Sequence, residues 1–541
     1  MSTYGYLKSK SFLSPYRAII ETCFHGNQVH TIPTVQEAYR LAHDSPGTIV
    51  TDIPIYQPET NGFPAGAKIL VFNDGEVFGR AAQARRIAGT QNLDEKKMQG
   101  ILREAAYHIR YRTMYHCQTV IGLDEEFMVK AHLLIPEHFE NTALNWMINF
   151  QELNTTYRER YQASRSIDEP DIMLVSDPEW SHPDFPLGIA FFDPTHNCAM
   201  LLGMRYFGEH KKGTLTLAWN VANRNGYASC HGGLKSYDDR DFVLAAFGLS
   251  GSGKSTITHS KHAGQYRITV LHDDAFVINT QDYSTIALEP TYFDKTSDYA
   301  IEAEDNKYIL TAQNVGVTLD AHDRKILVTE DIRNGNGRAI KSRLWSPNRV
   351  DRISKPLNAI LWLMKDPTLP PVVKIKNPIL ASVMGATLAT KRTLAERVIN
   401  FDPDKLVIEP YANPFRTYPL SQDYYKFKQL IEQGIDCFII NTGDFLGKKV
   451  TKETTLGIIE SIVEKKADFQ DWEKLEEFFG ILSIPGFMPP MNDPDYQSRL
   501  RQRFQDRIEF IQSRESETAG FDTLPEETTR NLETMIAQLQ A

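Results

Sequence analysis

The stretch Val243–Ser260 reads VLAAFGLSGSGKSTITHS. An apolar run ends at Gly248, small residues follow, and Gly253-Lys254-Ser255 precedes a more polar segment. The pattern predicts a buried strand, a tight loop and the start of a helix. Gly248 to Ser255 matches G-x-x-x-x-G-K-[ST]. Glycines there let backbone N–H groups turn inward around phosphate oxygens, and a helix start adds its positive dipole end. Gly248, Leu249, Ser250, Gly251, Ser252, Gly253, Lys254, Ser255 and Thr256 are therefore the expected phosphate cradle. Lys254 would bring a point charge to the terminal phosphates, and the Ser255 hydroxyl would ligate Mg²⁺. A plain Gly/Ser surface turn would lack the flanking strand and helix.

An acidic element should follow on a neighbouring strand. RITVLHDDAF supplies it: an apolar run, then Asp273 and Asp274. Carboxylates at a strand end can hold a metal directly or through water.

The rest of the chain sets the frame. At 541 residues there is room for about two to four domains and a large core. Net charge is −10, which disfavours a general nucleic-acid or membrane-surface binder. The cysteines at 23, 117, 198, 230 and 437 form no C-x-x-C pair and fit reduced thiols. With no apolar run approaching a membrane span, the expectation is a soluble, cytoplasmic protein.

Local patterns predict several elements. Thr34 with Glu37 three residues later marks a capped helix. AKILVFND, LGIAFFDP, NCAMLLGMRYFG, YRITVLHDD and IDCFIINTGD read as strands, and QDYYKFKQLIEQG as a helix. Leu500, Phe504, Ile508 and Ile511 lie at helical spacing. SRESETAGFDTLPEE reads as a polar break. Leu532, Met535, Ile536 and Leu539 then line one face of a short helix, which docks either on its own chain or on another subunit.

Upstream of the cradle stand RYFGEHKKG (Arg205 to Gly213) and YASCHGG (Tyr227 to Gly233). The order of these motifs, then GLSGSGKS, then HDD, resembles the ATP-dependent phosphoenolpyruvate carboxykinase family. The resemblance implies a two-lobed α/β fold with a P-loop-containing nucleotide lobe and an active site in the cleft. The expected division is 1–228 for the N-terminal substrate-side lobe, 229–515 for the nucleotide- and metal-binding lobe, and 516–541 for a polar linker and short helix. It implies Mn²⁺ held by Lys212, His231 and Asp274, with Lys211 an ordinary surface charge. A lysine ligates only as the neutral amine, and a nearby dication favours that form. Asp273 joins Ser255 on the metal side.

The same resemblance places Arg80 on the substrate carboxylate and Tyr206 near the CO₂ end. It places Arg333 near the transferred phosphate, with Arg338 the next candidate. Lys449 and Thr454 fall in the adenine-side segment INTGDFLGKKVTKETT. Val372 to Thr393 falls where the family has a mobile lid, although its small residues fit a helix–helix contact equally well. The implied partners are ATP and oxaloacetate or phosphoenolpyruvate, with no nucleic acid and no membrane.

Three departures stand out. Arg80 is followed by Ala81, Ala82, Gln83, Ala84 and Arg85 in place of Ser-Pro-Lys-Asp-Lys. The aspartate pair is followed by Ala275, Phe276, Val277 and Ile278 in place of Glu-His-Gly-Trp. Gln313 stands where a glutamate is expected. All three concern the substrate pocket and metal surroundings. Three functions follow as expectations: a divergent carboxykinase, a kinase on the same scaffold acting on another small molecule or a protein hydroxyl, and a non-catalytic nucleotide-binding regulator.

Overall fold

Thr34 caps the helix Val35–Asp44, accepting from the Glu37 N–H at 3.2 Å as its spacing predicts. The computed structural model describes residues 14–73, 82–91, 93–249, 251–297, 299–330, 337–346, 348–391 and 406–540. Among them the chain is a mixed α/β protein that divides into two units. The first takes the described residues of Met1–Val221 and Ala287–Ser346, and the second those of Ala222–Ile286, Pro347–Thr393 and Asp402–Ala541. Ala287–Ser346, expected in the second lobe, thus returns to the first unit. Its strands Ile309–Gln313 and Arg338–Lys341 pair there, and Ile309–Gln313 also runs parallel to Lys68–Phe72.

The first unit also holds an eight-stranded sheet. NCAMLLGMRYFG is a strand only over Cys198–Leu202, which pairs with Ile189–Asp193. Gly203 breaks it with φ +71°, and from Phe207 the chain is helical to Arg224.

That helix buries Lys211. Its ammonium lies 2.9 Å from Glu289, and neither side chain is more than 1% exposed. Asn149 donates to the other Glu289 oxygen at 2.7 Å. Lys211 is a buried ion-pair partner and not the surface charge expected. Removing one member strands a charge without solvent. Lys211→Met should therefore cost about 3–5 kcal/mol in urea unfolding, and adding Glu289→Leu should recover most of it.

In the second unit, Phe242–Phe247 runs parallel to Ala359–Met364, which runs parallel to Asp436–Asn441. The first two are buried throughout and the third from Cys437 onward, as continuous apolar runs in a parallel core require. Tyr227–Tyr237 flanks Phe242–Phe247 antiparallel and carries Ala275–Asn279 along its first half. Ala275 to Ile278 are buried in that strand, so the apolar departure after Asp274 extends the sheet.

The helix Pro494–Glu517 absorbs the first part of the expected polar break and buries Leu500, Phe504, Ile508 and Ile511. Glu527–Gln538 docks on its own chain: Glu527 accepts from Tyr424 at 2.7 Å and pairs with Lys428 at 2.8 Å. Pro378–Ala386, within the expected lid, is a helix buried from Leu380 onward. There the helix-contact reading holds; residues 392–393 lie outside the described set. None of the five cysteines forms a disulfide. Among the described residues no helix is long and apolar enough to cross a membrane.

Candidate functional site

Ligands gather where parallel strands end, because the loops that follow all leave on one side. Phe247, Met364 and Asn441 are three such ends. After Phe247 the loop reaches Gly251 and Gly253 at φ +78° and +90°, a region where a Cβ is strained. Gly253 opens directly into the helix Lys254–His259. The Ser252 N–H closes the turn on Leu249 at 3.0 Å. A Cβ on Gly253 would lie 3.7 Å from Thr442, so the loop crosses the end of the third strand. Ile257 sits in the same core as Ile458, Ile459 and Ile462, which ties this helix to Lys452–Val463. Ser255 and Thr256 are exposed on the first turn. Ser250 lies outside the described residues.

Asp274 is the meeting point of the predicted residues. Its Oδ1 lies 3.0 Å from His231 Nε2 and 3.9 Å from Lys254 Nζ. His231 stands on Tyr227–Tyr237, opposite Ala275 in register. Its other nitrogen, Nδ1, bonds the Ala412 carbonyl. A carbonyl only accepts, so Nδ1 carries a proton, and in the neutral ring Nε2 then presents a lone pair. Two lone pairs then face each other across 3.0 Å, an arrangement that calls for a proton or a cation. Two donors bound at about 2.1 Å to one octahedral dication sit about 3.0 Å apart. The chemistry of this donor pair therefore fits a divalent ion. Among the described residues no group of three or more His, Cys, Asp and Glu is placed to hold a metal. The implied Lys212, His231 and Asp274 set would contribute only two residues of those types.

Asp273 is engaged differently. Its Oδ2 lies 3.4 Å from His259 Nε2, with its side chain 6% exposed. Burial works to raise its pKa, yet His259, Lys254 and the Ser255 hydroxyl together hold it below the ordinary carboxylate value. Gly233 makes room for this arrangement: a Cβ there would lie 1.9 Å from Thr258 Oγ1 and 3.1 Å from Asp273 Oδ1. Gly233→Ala should lower stability by about 1–3 kcal/mol. Adding Thr258→Ala should restore most of the loss in thermal unfolding.

In the first unit, Arg338 Nε donates to the Tyr206 hydroxyl at 3.1 Å. Gln313 pairs with Arg338 across the sheet. Its amide oxygen accepts from the Phe207 N–H at 3.3 Å, while its nitrogen donates to the Arg205 carbonyl at 3.4 Å. An ionised glutamate could make only the first contact. Arg85 donates to Thr216 at 3.1 Å and covers the Phe192 ring. Lys212 is half-buried, 5.7 Å from the Trp219 ring centroid. Arg80 and Arg333 lie outside the described residues.

In the segment expected on the adenine side, Lys449 is exposed in a small hairpin. Thr454 lies in the first turn of Lys452–Val463, where Thr451 caps its N–H at 3.2 Å. Sequence reasoning passed over Lys365, directly after the strand Ala359–Met364. Burial, with Lys391 beside it, pulls its ammonium below the ordinary value. The signal was present: a third apolar run ending at a charged residue.

A family model described as phosphoenolpyruvate carboxykinase matches residues 71–493. The protein named phosphoenolpyruvate carboxykinase (ATP) from Aeropyrum pernix is 25% identical over 469 residues, spanning 81% of this chain and 89% of that protein.

Proposed function

Because the chain belongs to the phosphoenolpyruvate carboxykinase family, we propose that it decarboxylates oxaloacetate and transfers the γ-phosphoryl group of ATP to the resulting enolate, giving phosphoenolpyruvate, CO₂ and ADP. The observation that supports this reading most is the convergence of His231 and Lys254 on one oxygen of Asp274, beside a glycine loop at the ends of parallel strands.

Each residue has a physical task. The loop amides and Lys254 neutralise the polyphosphate, which phosphoryl transfer needs more than covalent help. His231 and Asp274 hold a divalent cation, with Lys212 in the amine role of the family pattern. Ser255 with Asp273 takes a second one, so Mn²⁺ and Mg²⁺ are the ions proposed. Such an ion supplies positive charge to the oxygens that become anionic during the reaction. Tyr206 and Arg338 form a hydrogen-bonded pair suited to a carboxylate, since a guanidinium offers several N–H groups in a fixed fork. Arg80 and Arg333 keep the substrate and phosphate roles of the family pattern, and Lys449 and Thr454 the adenine side.

The test follows both products at once. Purified protein with labelled oxaloacetate, ATP and Mn²⁺ should release CO₂ and form phosphoenolpyruvate in equal amounts. Phosphate transfer without decarboxylation would replace this reading with a kinase on the same scaffold. Nucleotide binding without turnover would leave only a regulator.

A further inference from the structure

We propose that Asp522, in the C-terminal segment, is a positioning residue for His231. It lies beyond residue 493, where the stretch matched by the family model ends. The inference rests on the reading that His231 holds a cation.

The argument starts at the backbone. The Ala412 carbonyl that accepts from His231 Nδ1 belongs to a turn with two consecutive left-handed non-glycine residues, Tyr411 at φ 52° and Ala412 at φ 53°. Such residues cost about 1–3 kcal/mol each and persist only where their surroundings hold them. At one end the Tyr411 hydroxyl donates to the Ser382 carbonyl at 3.0 Å, and its ring stacks on Phe427 at 4.6 Å. Beyond Ala412, the Asn413 side chain accepts from the Phe415 N–H at 3.2 Å, and Phe415 meets the His231 ring edge-on at 5.4 Å.

The other end is held by Asp522. Its Oδ1 receives the Arg416 guanidinium at 2.8 Å and the Leu420 N–H at 2.9 Å. Arg416 in turn donates to the Tyr418 carbonyl at 3.0 Å. Tyr418 hydrogen-bonds Ser229, two residues before His231 and so on the same face of that strand. Thr518 fixes Asp522 itself, its hydroxyl accepting the Asp522 N–H at 3.0 Å.

Asp522 thus closes the Arg416 end of the segment that carries both Ala412 and Phe415 across the His231 strand, while Asp423 accepts from the Tyr418 hydroxyl at 3.0 Å. A cavity of about 220 Å³, lined by Asn413, Arg416, Leu420, Phe510 and Asp522, adjoins the pair. Without Asp522, Arg416 has room to swing and the strained turn has room to relax. The carbonyl that selects the His231 tautomer then moves with it.

The test uses the full-length protein and Mn²⁺ alone, with no nucleotide or substrate. Imidazole tautomers are read by NMR on ¹⁵N-histidine protein, the His231 signal being the one missing from His231→Ala. Wild type should show a protonated Nδ1. Asp522→Ala should show mixed tautomers and about tenfold weaker Mn²⁺ binding by electron paramagnetic resonance, the scale of losing an outer-shell partner. If Asp522→Ala does not fold, Arg416→Met removes the same ion pair from the other side and should give the same two changes. A folded variant with the wild-type tautomer, and Mn²⁺ affinity within twofold, would overturn the proposal. If His231→Ala itself binds Mn²⁺ normally, the metal role of His231 fails, and the tautomer signal alone then decides whether Asp522 positions the ring.

Discussion

Lys254→Ala should slow phosphoenolpyruvate formation about a thousandfold, close to 4 kcal/mol of lost transition-state stabilisation. The side chain is only 12% exposed, and its ammonium reaches to 3.9 Å from Asp274. In so sheltered a place water replaces the lost charge poorly, and the polyphosphate gains negative character that nothing else on the loop offsets fully. Lys254 is absent from the apolar core that anchors its helix, where Ile257 makes the contacts. The variant should therefore melt within a few degrees of wild type. Lys254→Arg should not restore the rate, because a planar fork does not occupy the space of a compact ammonium. Initial rates with saturating ATP and Mn²⁺ decide the matter. A loss smaller than tenfold would remove Lys254 from phosphoryl transfer.

His231→Ala should weaken Mn²⁺ binding about a hundredfold and lower turnover at limiting metal by a similar factor. The substitution deletes one of the two donors that face each other at Asp274. It also leaves the Ala412 carbonyl without its imidazole partner, worth about 1–3 kcal/mol of stability if water does not replace it. Nucleotide affinity should stay within about threefold, because the glycine loop proposed to hold the phosphates leaves from a different strand. Calorimetric titration with ATP and magnetic resonance titration with Mn²⁺ separate the two effects. An equal loss in both would mean that the site collapsed and that His231 was structural.

The residues that were legible in advance share one property. The glycines of the loop, the capped helix at Thr34 and the aspartates closing the Ile268–His272 strand each answer a demand made within a few residues. A left-handed turn asks for glycine, a helix start asks for an oxygen, and an apolar strand must end at something polar. Lys211 shows where that logic stops. Its neighbours give no sign of Glu289, 78 positions later, so a lysine beside another lysine reads as surface charge. The second half of NCAMLLGMRYFG fails for a related reason: apolar residues fill buried strands and buried helices alike, and only the packing at Phe207 chooses.

From the order of its residues alone, this chain declared a glycine-rich turn opening a helix, an acidic strand end and the family pattern around them, because tight turns and caps are decided locally. Tertiary structure alone decided that Ala287–Ser346 returns to the first unit, that Lys211 is buried against Glu289, and that Asp522 holds the turn facing His231. Those outcomes depend on which distant groups lose their water together, and that competition has no winner until the chain has packed.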